Sequence, residues 1–320
     1  MTSTQLLETC RDRTTFTLSD TDDSRTLPSA GAVTWRLDCA YETPFTELWR
    51  HFTDRVATDD VRSLIIGPWW HDEYAELRPA LELLLADAAR FPALRALFLA
   101  DCTGEECEIS WLQLSDITPV LERFPLLEEL GVRGGDSQGL GPETLSLRPV
   151  RHEALRVLRF ESGGLPAPVV RAVAASDLPA LERLELWLGV SQYGGDTTVA
   201  DLAPLLTGGR LPALRHLGLQ DSEIQDEIAA AVAAAPVVAQ LESLSLSMGT
   251  LTDTGAEALL RGQPLTHLRH LDLSHHFLSA DMCDRLRAAL VPAGTEVDVS
   301  DRQKPHRSRG EEWRYVAVSE

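Results

Sequence analysis

The sequence predicts an α/β solenoid, a curved stack of strand–helix units with parallel strands on the concave face and helices on the convex face. A short phrase with apolar residues at its first, fourth and sixth positions returns nine times, at intervals of 26 to 33 residues. A near-constant period of this size indicates stacked units rather than one globular core. The copies begin at Val61, Leu94, Leu127, Leu155, Leu181, Leu214, Leu241, Leu268 and Gly294, and the first and last are looser than the rest.

Each phrase predicts a strand. In the copy that begins at Leu94, Leu97 and Leu99 alternate with period 2, so both are expected to point inward while Phe98 points outward. Helical stretches lie between the phrases, and their bounds are predicted at 166–176, 225–235, 253–261 and 279–290. Prolines suit the first turn of the first stretch, and Ser279 is expected to cap the last one.

The two ends of the chain differ from the repeats. Residues 1–30 form a polar segment, and residues 31–60 are predicted to be an N-terminal cap whose strand alternates at Val33, Trp35 and Leu37. The solenoid itself is assigned to 61–300, and 301–320 to a polar linker followed by a C-terminal cap or tail. Terminal repeats need such covers because their apolar faces have no neighbour. A partner-binding tail is the alternative for the last residues.

Composition restricts the class of partner. The chain has 320 residues with 29 Lys and Arg against 49 Asp and Glu, a formal net charge of −20. Such a field repels nucleic acid and anionic lipid and favours basic proteins, although acidity also serves solubility alone. The five cysteines are an odd, scattered set, and the polar residues 1–25 differ from a signal peptide. Neither a membrane span nor a disulfide scaffold is expected, and a cytoplasmic location fits best.

The leucine spacing resembles the leucine-rich repeat family, in the long-repeat subclass typified by ribonuclease inhibitor, over residues 61–299. The resemblance implies units that alternate strand and helix. The segments 105–111, 187–196 and 313–320 are similar to a smaller bacterial family of leucine-rich repeat proteins without an assigned function. Some of its members are encoded near radical-SAM-type enzymes, which implies an accessory role.

The chain departs from the family pattern at the ninth position of the repeat, where Asn or Cys is usual. The residues found there from the second copy to the eighth are Cys102, Gly135, Gly163, Gly189, Ser222, Gly249 and His276. The side-chain ladder that satisfies the turn backbone is therefore expected to be mostly missing. Glycine adopts tight turns at little steric cost, so the fold is expected to survive with looser turns.

Outward-facing strand residues predict a binding patch at the centre of the concave face. These residues mix Arg, Glu and Trp, and Arg and Trp are the types that most often carry binding energy in interfaces. The central patch is assigned to Arg133, Arg159, Glu161, Arg183, Glu185 and Trp187.

The longer repeats predict a second surface, a loop edge rich in aromatic residues. Three of the repeats have 33 residues, and their additional residues enter just after the strand, where insertions project from one edge of a solenoid. Exposed aromatic loops on a rigid scaffold favour recognition, whereas rings folded inward to seal the turns are the alternative. The loop rim is assigned to Trp69, Trp70, Trp111 and Tyr193.

The sequence thus predicts a non-catalytic protein-interaction module or accessory scaffold that binds another protein, such as an enzyme or a basic protein, and leaves the oligomeric state open. One alternative is an inhibitor or sequestering partner of a basic enzyme. The other is a metal or enzymatic site in the early loops, formed around His71, Cys102 and Cys107. The spacing of the two cysteines is not that of a zinc knuckle, so neither a metal nor another cofactor is expected.

Overall fold

The computed structural model describes residues 13–39, 43–70, 75–135, 144–308 and 311–319. In these ranges eleven strands form one sheet whose order follows the chain, and every neighbouring pair is parallel. The strands are β1 (Thr15–Leu18), β2 (Thr34–Leu37), β3 (Ser63–Ile66), β4 (Ala96–Leu99), β5 (Glu129–Arg133), β6 (Val157–Glu161), β7 (Arg183–Gly189), β8 (His216–Ser222), β9 (Ser243–Ser245), β10 (His270–Asp272) and β11 (Glu296–Asp298). The predicted α/β solenoid is confirmed.

The register of the sheet places equivalent positions of successive repeats side by side. Leu97 lies opposite Leu64 on one side and Leu130 on the other, so the fourth-position residues form a continuous row. Leu97 and Leu99 lie in the main apolar core, whereas Phe98 belongs to a small separate cluster on the concave side. Strands β3 to β11 carry the nine phrases. The capping strand is β2. Strand β1 lies within residues 1–30, for which the sequence predicts only a polar segment.

Helices connect most of the successive strands from β2 onwards along the convex side, and among the described residues the connection from β5 to β6 has none. The structure contains α1 (Phe45–Arg55), α2 (Arg78–Ala86), α3 (Thr118–Arg123), α4 (Ala167–Ala175), α5 (Val199–Leu206), α6 (Gln225–Val232), α7 (Asp253–Arg261) and α8 (Ala280–Leu290). The hydroxyl of Ser279 accepts a hydrogen bond of 3.1 Å from the backbone N–H of Met282, which is the expected N-cap. Among the described residues no helix has both the length and the apolar character that a membrane span requires.

An aromatic cluster closes the first repeats. Trp35 on β2 contacts Phe16 and Phe52, with ring centroids 5.3 Å apart in both pairs. Trp49 on α1 extends the cluster to Phe91. Trp35, Phe52 and Phe91 are almost fully buried, so these large rings form the core of the first repeats.

The last described residues leave the solenoid and return along its edge. Strands β12 (His306–Ser308) and β13 (Glu311–Trp313) form an exposed antiparallel pair. Residues 314–319, which we call the strap, then pass over the turns that follow the parallel strands. Because these turns stand at the carboxyl ends of the strands, the strap lies on the predicted loop edge instead of covering the end of the stack.

Candidate functional site

The concave face carries a chain of alternating charges, which we call the ionic ladder. Its members come from β2, β5, β6, β7 and β8 and from the turns after β2 and β4, and together they extend across the first two thirds of the sheet. The ladder consists of Arg36, Asp38, Asp101, Arg133, Glu161, Arg159, Glu185, Arg183 and His216.

The ladder begins with Arg36, which pairs with Asp38 just after the end of β2 and reaches across β3 to the turn after β4. There Nε of Arg36 donates to Asp101 Oδ2 over 3.1 Å, and Nη2 donates to the Asp101 carbonyl over 2.9 Å. Gly67 makes this crossing possible, because a Cβ at that position would lie 2.9 Å from the guanidinium carbon of Arg36. Arginine here satisfies both a carboxylate and a turn carbonyl.

The centre of the ladder is buried. Arg133 donates to Glu161 through Nη2 at 2.6 Å and to the carbonyl of Cys102 at 2.7 Å, while Arg159 donates to Glu185 at 2.5 Å. Arg159 and Glu161 are only 4% and 3% exposed. Charges so far from water are tolerated only when they are paired and hydrogen-bonded.

Glu185 connects three cationic side chains at the β7–β8 end of the ladder. Its carboxylate lies 3.1 Å from Arg183 and 3.3 Å from Nε2 of His216, in addition to the bond from Arg159. Burial alone would raise the pKa of this carboxyl. The hydrogen bond from His216 and the charges of Arg159 and Arg183 outweigh burial and hold the pKa of Glu185 well below its usual range.

A second network lines the concave face of β8 to β10, and we call it the hydroxyl network. Nε2 of Gln220 donates to Ser247 over 2.9 Å, the Ser245 and Ser247 hydroxyls lie 2.8 Å apart, and Ser245 donates to Asp272 over 2.8 Å. Ser243 touches the ladder, since its hydroxyl is 2.7 Å from Nδ1 of His216. Here hydroxyls and amides replace the arginines of the first repeats.

The structure places the predicted concave patch within these contacts. Arg133, Arg159, Glu161 and Glu185 are buried, and each is engaged by another member of the ladder. Arg183 and Trp187 are partly exposed. The six residues lie together on the concave face, but most of their charged groups are buried and paired with one another.

The four residues of the predicted aromatic rim differ in burial. Trp69 and Trp70 are each 5% exposed, and their rings meet edge to face with centroids 4.9 Å apart. Their predicted place on an exposed rim is therefore wrong. Trp69 stands at the ninth position of the first copy, whose side chain points into the turn, and its indole N–H donates to the carbonyl of Ala75 over 2.8 Å.

The other two rim residues reach the surface. Trp111 is 52% exposed at the end of a short helical turn, and Tyr193 is partly exposed. Their backbones flank one glycine pair. A Cβ at Gly163 would collide with the hydroxyl of Ser110, and a Cβ at Gly164 would collide with the carbonyl of Tyr193. The loop edge thus brings Trp111 and Tyr193 to opposite sides of a closely packed turn.

The turn ladder is not simply lost at the ninth position. His276 is fully buried, its Nδ1 accepts from the N–H of Leu278 at 3.0 Å, and its Nε2 lies 3.2 Å from the carbonyl of Val299. The hydroxyl of Ser222 accepts from the N–H of Ile224 at 3.2 Å. Imidazole and hydroxyl groups thus supply the contacts that Asn supplies in the family pattern.

The early loops offer weak support for metal or nucleophile chemistry. His71 lies outside the described residues, and within them no three His, Cys, Asp or Glu side chains come together as a metal would need. Burial raises the pKa of the Cys102 thiol far above its ordinary value, which opposes formation of the reactive thiolate.

Sequence reasoning missed three turn residues at the loop edge. Asp221, Met248 and His275 each occupy the eighth position of their repeat, and all three have positive φ angles, of 56°, 68° and 52°. This conformation is uncommon outside glycine. The sequence offered one signal, the constant position of these residues after the strand. Asp, Met and His share no chemical property that would have marked that position.

Comparison with known proteins agrees with this architecture. A family model described as "Leucine Rich repeat" matches residues 240–260, which include β9 and most of α7. The crystal structure of a Bacteroides fragilis protein, a structural-genomics target, is similar with a TM-score of 0.73 and 32% sequence identity. That match covers 80% of this chain and 70% of the other. A search of curated proteins found no match. With this identity and coverage, and with its eleven-stranded parallel sheet, the chain belongs to the leucine-rich repeat family.

Proposed function

We propose that the chain is a non-catalytic scaffold that binds another protein through the loop edge at the carboxyl ends of β4 to β8. The observation that carries the proposal is Trp111, a large aromatic side chain that is half exposed on a rigid turn. Tryptophan is among the residues most enriched at the energetic centres of interfaces. Trp187 and Tyr193, both partly exposed, extend the same surface.

The ionic ladder supports this surface from beneath. Its four arginines, Arg36, Arg133, Arg159 and Arg183, are matched by four carboxylates, those of Asp38, Asp101, Glu161 and Glu185. Since most of these charges already pair with one another, they offer a partner little free charge. We assign them the role of fixing the strand ends, while partly exposed Arg183 gives the partner its orientation.

The acidic surface supports a more specific version, in which the partner is a basic enzyme that the scaffold sequesters. The net charge of −20 would accelerate encounter with a basic protein. A cytoplasmic location is part of the proposal, since the described cysteines Cys39, Cys102, Cys107 and Cys283 are free thiols.

A capture experiment with three matched baits tests the proposal. The wild-type chain, Trp111→Ala and Leu126→Ala are immobilised, and the bound proteins are identified by mass spectrometry at low and moderate salt. Leu126 is a suitable control, because it is 51% exposed but precedes β5 at the opposite ends of the strands.

We expect the Trp111→Ala bait to lose a partner that the wild-type and Leu126→Ala baits both retain. Partners that all three baits retain would contradict a binding role for this edge. A partner lost steeply with salt would favour the basic enzyme, because exposed charges are screened within about 10 Å at 0.1 M salt. Capture that resists salt would favour contact through the aromatic rings.

A further inference from the structure

The eighth-position turns form a regular row beneath the strap. His275, Met248 and Asp221 follow β10, β9 and β8, three adjacent strands of the sheet. Adjacent strands lie about 4.8 Å apart, so the row from His275 to Asp221 measures about 10 Å. Gly134 and Asp301 have positive φ angles at the same position of their own repeats, so this backbone conformation belongs to the turn of the repeat.

The strap crosses this row in step with it. The carbonyl of Tyr315 lies 3.2 Å from Nε2 of His275, the N–H of Ala317 donates to the Met248 carbonyl over 2.7 Å, and the N–H of Val318 donates to Asp221 Oδ1 over 2.9 Å. The three contacts follow the chain in order, with a bend at Ala317 between the first and the last. The turns therefore hold the strap by its backbone.

The side chains of the strap also contact the repeats. Val316 is 6% exposed, and Val318 packs against the main core. The ring of Tyr315 meets those of His275 and Phe277 at steep angles, with centroids 6.0 and 5.7 Å away.

The far end of the groove lies at the loop edge, beside the residue that precedes Trp111. Ser110 donates a hydrogen bond to the carbonyl of Ser319. A Cβ at Gly163 would collide with that same carbonyl, so the absence of a side chain there leaves room for a backbone. We call the site formed by His275, Met248, Asp221, Ser110 and Gly163 the turn groove.

The strap leaves one group of the turn groove incompletely satisfied. The Asp221 side chain is fully buried, and its Oδ2 has no hydrogen-bond partner within the described ranges. A buried polar oxygen without a hydrogen-bond partner costs free energy. A segment that brought a hydrogen-bonding group to this oxygen would therefore be held more tightly than the strap.

We propose that the turn groove is a binding site for an extended peptide segment of a partner protein, and that the strap is an internal occupant which this segment displaces. The recognised pattern is the one seated there now, an aromatic residue followed by aliphatic, small and aliphatic residues, as in Tyr315–Val318. The inference rests on the proposed function, because the turn groove runs along the same edge towards Trp111.

The test uses full-length variants and a fluorescent peptide with the sequence of residues 311–320. Ala317→Pro removes the N–H that Met248 accepts, whereas the matched variant Ala317→Gly keeps it. Release of the strap is read from the rate of tryptic cleavage after Arg314, and integrity of the solenoid from thermal unfolding. Val316→Asp, which places a charge at a buried site, is the second releasing variant.

We expect each releasing variant to bind the peptide at least tenfold more tightly than Ala317→Gly does. Adding Asp221→Leu to Ala317→Pro should reduce the affinity at least tenfold, because it removes the acceptor for residue 318. A peptide with the same residues in scrambled order should not bind.

Four results would overturn the proposal. In the first, neither variant releases the strap, and in the second, released chains fail to bind the peptide. In the third, the scrambled peptide binds equally well. In the fourth, light scattering shows wild-type dimers with exchanged straps, which would assign the turn groove to a second copy. None of these results depends on the capture with Trp111→Ala, so failure of this inference and failure of the proposed function remain distinguishable.

Discussion

From β2 to β8 the concave side is held by the ionic ladder, whereas from β8 to β10 the same positions of the repeat carry the hydroxyl network. Arg159 and Ser245 illustrate the exchange, because both occupy the fifth position and both are almost fully buried. A buried guanidinium must recover a large desolvation free energy from its partners, whereas a buried hydroxyl must recover only a small one. The residues of the two networks are thus equally buried, but the loss of a partner should destabilise the protein more in the ionic ladder than in the hydroxyl network.

The largest effect is expected when a cation is removed from the middle of the ladder. Arg159→Met keeps most of the side-chain volume but leaves Glu161 and Glu185 without their shared partner. Removing one partner of a buried ion pair costs about 3–5 kcal/mol. We expect the lower end of that range, since Glu161 retains Arg133 and Glu185 retains His216. Urea denaturation measures the change in the free energy of unfolding.

Arg156→Met is the matched control for this prediction. Arg156 lies three residues away and pairs with Glu182 at 2.8 Å, but both side chains are about half exposed. Exposed pairs contribute at most about 1 kcal/mol. Equal losses in the two variants would show that the ladder stabilises the protein no more than a surface pair does.

The second contrast concerns the pH dependence of stability, and it compares Glu185 in the ionic ladder with Asp221 in the turn groove. The partners of Glu185 lower its pKa below the ordinary 4.5, so its stabilisation is present above pH 4.5 and is lost as the pH falls through the folded-state value. Burial raises the pKa of Asp221 well above the ordinary 3.8. Its contribution is therefore complete below pH 3.8 and is lost as the pH rises through the folded-state value.

The variants Glu185→Gln and Asp221→Asn separate these contributions. The free energy of unfolding of the wild type relative to Glu185→Gln should decrease as the medium becomes acidic. Relative to Asp221→Asn it should decrease as the pH rises above 3.8. Chemical denaturation across a pH series measures both differences. If the two differences changed with pH in the same direction, the opposite pKa shifts of Glu185 and Asp221 would be refuted.

The architecture could be predicted from the sequence because it depends on a repeated pattern. Leu97 and its equivalents recur at fixed spacing, and each copy confirms the others. The ladder depends instead on contacts between different repeats, such as Arg36 reaching over Gly67 to Asp101, which no single phrase contains. The sequence therefore predicted that five of the ladder residues lie together on the concave face, but it did not predict their pairing or burial.

The error at Trp69 has a similar physical reason. Its aromatic character and its place in a long turn indicated exposure, but the ninth position of the repeat points inward whatever residue fills it. Counting from Val61 would have shown that Trp69 aligns with Cys102. The strap was less accessible to sequence reasoning, since its contacts with Met248 and Asp221 use the backbone of residues far away in the chain.

A smaller loss is expected in the hydroxyl network. Ser247→Ala removes the acceptor for Gln220 and the neighbour of Ser245. A typical buried hydrogen bond contributes about 1 kcal/mol, so the free energy of unfolding should fall by about 1–2 kcal/mol. Urea denaturation under the conditions used for Arg159→Met gives the direct comparison. A loss as large as that of Arg159→Met would remove the distinction between the two halves.

The smallest change in stability is expected at the loop edge itself. Trp111→Ala removes a half-exposed ring, and surface substitutions usually alter the free energy of unfolding by less than about 0.5 kcal/mol. Trp69→Ala is its matched contrast, because truncation of a buried aromatic side chain costs about 3–5 kcal/mol. Thermal and urea unfolding of both variants measure the difference. A large loss for Trp111→Ala would mean that its ring supports the fold, and reduced capture by that variant would then reflect unfolding rather than a lost contact.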